Sequence, residues 1–283
     1  MTGAWEVARY AWRESLRRRV FLVVVVLSVA FLALYAVGTI AAFRGVDRLD
    51  ASPESDSAVA AGATLLGLAM FATLFLGTVL AVFLTLSAIR GDAERGLLQP
   101  LVVRPLGRAA LLAGRFLGAA TVCALYVAVL YGVALAITVA AGDWTPDHVI
   151  GPGLELVAAV VVLSAVSLLG SVFLGATANG IAVFMVFGAG LTAGLLGQIG
   201  DALPSQTLKD IGNVGAIALP FEALYQEGLH ALTSETTGVA AFVVQLGPFG
   251  GAHHFGPGLV VWLLVYLVLL GAAAVWGFRR RDL

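Results

Sequence analysis

Apolar residues in this chain come in long, nearly unbroken runs, with charges confined to the stretches between them. A helix crossing about 30 Å of hydrocarbon needs roughly 20 mostly apolar residues. Six runs meet that length: 20–43, 58–89, 116–141, 154–174, 181–199 and 259–278. The second is overlong, so its first turn or two are expected to stand outside the bilayer. Only a short turn, 175–180, separates the fourth from the fifth. The first is too long to be the 7–15-residue apolar core of a cleaved signal peptide. The pattern predicts an all-α membrane protein of six transmembrane helices in a single transmembrane domain covering residues 1–283.

Composition agrees. Of 283 residues, 60% are hydrophobic and 12% charged. That is half the roughly 25% charge of a soluble domain, and mean hydropathy is +0.99. Such a chain cannot clothe itself for water. A single cysteine, Cys123, excludes an internal disulfide. A net charge of −1 argues against nucleic acid as a partner. The one lysine, Lys209, is followed by Asp210, so the Gly-Lys-Ser/Thr phosphate-binding signature is missing. No cofactor is expected on this chain.

The arginines orient the bundle. Arg9, Arg13, Arg17, Arg18 and Arg19 precede the first run. Arg90, Arg95, Arg104, Arg108 and Arg115 lie between the second and third, and Arg279, Arg280 and Arg281 follow the sixth. Of the sixteen basic residues only Arg44, Arg48 and Lys209 fall on the other side. The positive-inside bias then places both termini in the cytoplasm, with the protein in the cell membrane. Trp5, Trp12, Trp144, Trp262 and Trp276 fall at or near run ends, where the headgroup layer favours an amphipathic ring.

Three segments outside the runs are long enough to matter. In 2–19, Trp5, Ala8, Trp12 and Leu16 recur at helical spacing with Glu6, Arg9, Arg13 and Arg17 on the other faces. This fits an interfacial helix, or else a basic flank that only sets topology. The segment 90–115 carries Asp92, Glu94 and Arg95, an apolar tip of Leu97 and Leu98, then Pro100, Arg104, Pro105 and Arg108. The two prolines forbid one continuous helix. A short helix with a greasy tip would suit docking to a partner's groove; a solvated charged loop is the other reading. The third segment, 200–258, keeps apolar stretches at 211–218, 221–232 and 239–246, punctuated by Pro204, Pro220, Pro248 and Pro257. These are too short to span, so they are expected to be re-entrant or interfacial, forming a compact cap over the outer end of the bundle.

Candidate chemistry is sparse. The cores of the six runs hold no Asp, Glu, Lys, Arg or His, and Glu155 sits at the edge of the fourth. Intramembrane ionisable groups mark proton and ion pathways, so their absence argues against a coupled secondary transporter and implies a driving force supplied from elsewhere. His148, His230, His253 and His254 all lie in outer loops, which leaves Ser164, Ser167 and Ser171 without a base at bilayer depth. The pair His253-His254, with His230, either binds a soft metal or is merely two loop histidines; no metal site is assigned. Cys123, Met70 and Met185 are read as packing residues. Uncharged polar groups remain: Thr64, Thr73, Thr78, Thr85 and Ser87 in the second run, and Asn179, Thr192 and Gln198 around the fifth. Gly190 and Gly194, with Gly188 and Gly197, allow close helix approach. Either these residues pack one bundle, or the second and fifth runs meet a second copy and line a route between the two.

The pattern Glu94-x-Gly96-x-Leu98-x-x-Leu101-x-x-x-Pro105-x-x-Arg108, ending in Gly114-Arg115, resembles the cytoplasmic loop of type-2 ABC exporter permeases. The likeness is strongest to the branch described as multicopper-enzyme-maturation or nitrous-oxide-reductase permeases. Leu97 replaces a usual Thr and Arg115 a usual Lys. The resemblance implies a homodimer that binds two copies of a separately encoded ATPase, which would carry ATP and Mg²⁺. Asp92, Glu94, Arg95, Leu97, Leu98, Pro100, Arg104, Pro105 and Arg108 would form the coupling helix on that ATPase, with 2–19 as the elbow helix. Thr73, Thr78, Thr85, Asn179, Gly190, Thr192, Gly194 and Gln198 would line the translocation path or dimer interface, under an outer re-entrant lid at 200–258. The expected function is the permease subunit of an ATP-driven exporter. An accessory scaffold for maturation of another enzyme and a stand-alone facilitator are the alternatives.

Overall fold

A computed structural model describes residues 19–47, 56–86, 108–146, 148–233, 255–256 and 258–280. Among these, eight helices follow in order: α1 Arg19–Asp47, α2 Asp56–Thr85, α3 Arg108–Gly142, α4 Ile150–Phe173, α5 Ala176–Ala202, α6 Gln206–Ala218, α7 Pro220–Thr233 and α8 Gly258–Arg279. Six of them, all but α6 and α7, are long and apolar enough to cross a membrane. They coincide with the six apolar runs, and the all-helical, six-span architecture is as expected. The ends differ where a polar flank continues the helix. α3 starts at Arg108, eight residues before its apolar run, because 108–114 contains no helix breaker beyond Gly114. α1 likewise continues past Phe43 to Asp47.

α4 is the hub. It packs against α2, α3, α5, α7 and α8, and it shares with α2 the deepest burial of the six. Leu156, Ala159, Val160, Val162 and Leu163 of α4 meet Leu66, Met70, Leu74 and Leu80 of α2 in one core. α1 and α8 lie at the periphery and keep wide apolar faces for lipid. Without a hydrophobic drive between helices in lipid, such contacts rest on close packing and hydrogen bonds. A methyl at Gly77 would press on Val160 and Val127, and one at Gly62 would overlap the buried Trp144 ring. α1 is tied to α3 by Tyr35 Oη and Thr138 Oγ1, 2.6 Å apart, and by Ser28 Oγ and Tyr126 Oη.

Of the segment expected to be re-entrant or interfacial, residues 206–233 fold back against the bundle. α6 runs back along α5, antiparallel to it: Gly200 faces Leu208, Gly197 faces Gly212 and Ala193 faces Gly215. A sharp turn at Leu219–Pro220 follows, closed by Glu222 N–H donating to Leu219 O at 3.1 Å. α7 then returns between α5, α4 and α2, with the Phe221 ring stacked on Phe187 and over Gly190, and with Leu229 against Gly67. From Ala202 to Gly190 is twelve residues, so at about 1.5 Å per residue the turn lies roughly 18 Å down α5. The third apolar stretch, 239–246, and the elbow segment 2–18 lie outside the described residues.

A re-entrant turn at that depth must satisfy its own backbone, since lipid offers no donors. α8 supplies them. Trp262 Nε1 donates to Ile217 O at 2.9 Å, and Tyr266 Oη donates to Ala218 O at 3.0 Å. These two carbonyls belong to the last turn of α6, which has no helical partner for them. Trp262, expected at the headgroup layer, is engaged with this turn, and Trp144 is enclosed by α2.

Candidate functional site: a polar chamber behind the re-entrant hairpin

The turn at Pro220 puts Glu222 and Gln226 on successive turns of α7, facing Gly194 of α5. Gln226 Nε2 donates to Glu222 Oε1. Both side chains are almost fully enclosed, at 4% and 3% exposure. Gly194 admits them: a methyl there would collide with the Glu222 carboxyl and the Gln226 amide. Gln226 Oε1 and Tyr225 Oη are buried with no hydrogen-bond partner among the described residues. Beside them is a cavity of about 110 Å³, lined also by Gly197, Gly212, Ala216 and Phe255, with Asp201, Lys209 and Asn213 at its more exposed edge. Lys209 Nζ lies 2.8 Å from Asp201 Oδ1. Glu227 Oε2 accepts from the amide of Phe255, itself a lining residue, at 2.6 Å.

Burial pushes the Glu222 carboxyl up to about 8, against a partial lowering by the Gln226 amide. The Tyr225 hydroxyl is raised as well, by burial first and then by the nearby Glu222 charge. A carboxylate in this setting needs a counter-charge or a proton.

The finding is an ionisable group that comes from outside the six spans. The six spans carry none in their cores, but α7 inserts Glu222 among them. Hydropathy alone does not reveal Glu222 as buried, because a short re-entrant helix and an interfacial one have the same composition. One signal was available: glycines and alanines at 193, 197 and 200, facing 212 and 215 across a short turn, are the pattern of two helices in close antiparallel contact.

A second polar cluster lies toward the other end of the bundle. Thr85 Oγ1 donates to Ala81 O at 2.8 Å and to Ser167 Oγ at 2.6 Å. Asn179 Nδ2 donates to Ser167 O at 2.9 Å, while its Oδ1 faces Gly170. Ser164 and Ser171 donate to Val160 O and Leu168 O within α4.

The residues expected on the translocation path divide accordingly. Thr73, Thr78 and Thr85 are buried inside one copy and donate to Ala69, Leu74 and Ala81 carbonyls of their own helix. Asn179 is buried with them. Gly190 and Gly194 accommodate α7 of the same chain. Gln198 is half-buried, and Thr192 is exposed with its hydroxyl on Gly188 O at 2.8 Å. Of the docking set, Arg108 alone is described, as the first residue of α3; Asp92, Glu94, Arg95, Leu97, Leu98, Pro100, Arg104 and Pro105 lie outside the described residues. His253 and His254 lie outside them too.

Six long apolar helices around a re-entrant hairpin define a multi-pass helical membrane protein. The sequence profile described as "ABC-2 family transporter protein" matches residues 5–283, so the chain belongs to that family. It is also 35% identical over 134 residues to the "Probable ABC transporter permease protein NosY" of Stutzerimonas stutzeri. That match covers 47% of this chain and spans under half of the relative, 45%.

Proposed function

We propose that this chain is the permease subunit of an ATP-driven ABC exporter, working as a homodimer with two copies of a separately encoded ATPase. The observation that carries the reading is the family match over nearly the whole chain, on a fold of six membrane spans. Arginine placement supports cytoplasmic termini in the cell membrane and a cytoplasmic loop at 90–108. The ATPase would seat on that loop, with Leu97 and Leu98 as its apolar contact. Coexpression with the cognate ATPase and affinity capture test this: Leu97→Glu with Leu98→Glu is expected to abolish copurification and permease-stimulated ATP hydrolysis. Intact copurification and activity in that variant would overturn the docking assignment.

The interface with a second copy is proposed on the exposed face of α5. Ile181, Met185, Gly188, Thr192, Leu195 and Ile199 are exposed at alternating spacings of four and three, the rhythm of a helix seam. Phe75 of α2, exposed and in ring contact with Phe184 and Phe187, adjoins that face. The path would run there, and the buried threonines of α2 would support it from within. Cys123 is buried, so Thr192→Cys gives a clean crosslinking probe in native membranes. A disulfide dimer is expected from Thr192→Cys and not from Val268→Cys on exposed α8; the reverse result would refute the α5 interface.

A further inference from the structure

A carboxyl buried as deeply as Glu222 keeps its charge only with a counter-ion at hand. Lys209, the cation lining the chamber, is already paired with Asp201. Counting Asp201, Lys209 and an ionised Glu222, the chamber carries one surplus negative charge. Two buried groups supply acceptor oxygens, the Glu222 carboxyl and the unpartnered Gln226 Oε1. Asn213 and Asp201 add oxygens at the edge. Oxygen donors of this kind suit hard cations rather than copper or zinc. Among the described residues no three His, Cys, Asp or Glu side chains converge, and a lone surplus charge matches a monovalent ion better than a divalent one. A volume of about 110 Å³ exceeds the roughly 10–15 Å³ that one water needs on the same measure, room for an ion and its residual waters.

We propose that the chamber between α5, α6 and α7 binds a monovalent metal cation, sodium or potassium, on Glu222 and Gln226, in competition with a proton. The proton holds the site when Glu222 is neutral; the metal ion takes it when the carboxyl ionises. The other charged or titratable groups around it are Asp201 of α5, Lys209 and Asp210 of α6, Tyr225, Glu227 and His230 of α7, and Glu155 of α4. Asp210 accepts from Gln206, Glu227 accepts from the Phe255 amide, and neither lines the chamber with Glu222. Glu155 lies beside Gly228, more than a turn of α7 further along. This proposal is independent of the ATPase partnership and is tested on the permease alone.

The purified full chain in nanodiscs is exposed to dicyclohexylcarbodiimide, which attacks protonated carboxyls in apolar sites, and adduct at Glu222 is measured by peptide mass spectrometry. Sodium or potassium chloride replaces N-methylglucamine chloride at constant ionic strength. Labelling should fall as the pH is raised. At a given pH it should be suppressed by sodium or potassium, the half-suppressing concentration rising about tenfold per pH unit lowered. Thermal midpoints supply a second readout: either salt should raise the midpoint of the native chain above pH 8, and the rise should vanish in Glu222→Gln. Labelling that follows pH alone, with equal midpoints in all three salts, would overturn the metal site and leave a proton site. If Glu222 takes no label, a salt-specific midpoint rise lost in Glu222→Gln still supports the site, and an equal rise in both chains overturns it.

Discussion

The bundle buries polar side chains in two places, and it does so differently. Near α4's C-terminal half, Thr85, Ser167 and Asn179 are neutral, and their donors reach carbonyls or hydroxyls of α2 and α4. Both places hold an unmet acceptor, Asn179 Oδ1 in one and Gln226 Oε1 in the other, but behind the re-entrant hairpin the equally buried Glu222 also brings a potential charge. Hydroxyls that bond back to their own helix are structural fasteners. A carboxyl held against desolvation by a fold that could have used leucine there suggests a role beyond packing. The two clusters should therefore respond differently to mutation, pH and salt.

The hairpin should be the more fragile of the two to steric change. Gly194→Val places methyls into the Glu222 carboxyl and the Gln226 amide and is expected to cost roughly 1–3 kcal/mol or more. Gly188→Val, on the same helix with open space around it, should leave the monomer's thermal unfolding in detergent unchanged. Equal midpoints for the two variants would show that α7 does not occupy the place described.

A pH titration separates the clusters more sharply. In the unfolded chain Glu222 gives up its proton near its ordinary value of 4.5, whereas in the folded chain it holds the proton up to about 8. Between those values the unfolded state binds fewer protons, so stability falls as pH rises across that window and levels off above it. In N-methylglucamine salt the native midpoint should decline through the window, and Glu222→Gln should remove part of the slope. Thr85→Val should leave the slope as it is. Parallel profiles for native and Glu222→Gln would mean that the buried carboxyl is not what titrates.

Much of this fold was legible in advance, and the reason is physical. Each span is a separate solution to crossing hydrocarbon, so its length and composition announce it whatever it packs against. The apolar stretches 211–218 and 221–232 were legible as helices for the same reason, and they became α6 and α7. What they pack against was not. Whether a 14-residue helix lies on a bundle or inside it depends on partners far along the chain, here Gly67, Pro152, Gly190 and Gly194. The glycines at 190 and 194 read equally well as a seam for a second copy, because spacing reveals a close approach without naming what approaches. Arg108–Arg115 shows the opposite error: the polar flank hid a helix that simply outlasts its apolar run.

The turn between α6 and α7 gives the next test. Trp262→Phe and Tyr266→Phe each remove a donor from a carbonyl at the re-entrant turn while keeping most of the ring. Leaving such an acceptor unmet away from water costs about 1–3 kcal/mol. Hydrogen exchange of the α6 and α7 amides should accelerate in both variants with α2 and α4 unaffected. Acceleration spread evenly over the bundle would mean that the hairpin does not open as a unit.

The smallest effect belongs to the neutral cluster. Thr85→Val keeps the volume and removes the hydroxyl that bridges α2 to Ser167 of α4. Interhelical hydrogen bonds in membranes average about 0.6 kcal/mol and reach about 1.7, because the separated helices find other partners. Thr85 also spends its hydroxyl on the Ala81 carbonyl, a bond within its own helix that would survive separation. The loss should therefore fall at the low end, below 1 kcal/mol, and a double-mutant cycle with Ser167→Ala should show coupling of the same small size. A coupling of several kcal/mol would put this cluster in the same class as the Glu222 chamber and erase the distinction between fastener and functional site.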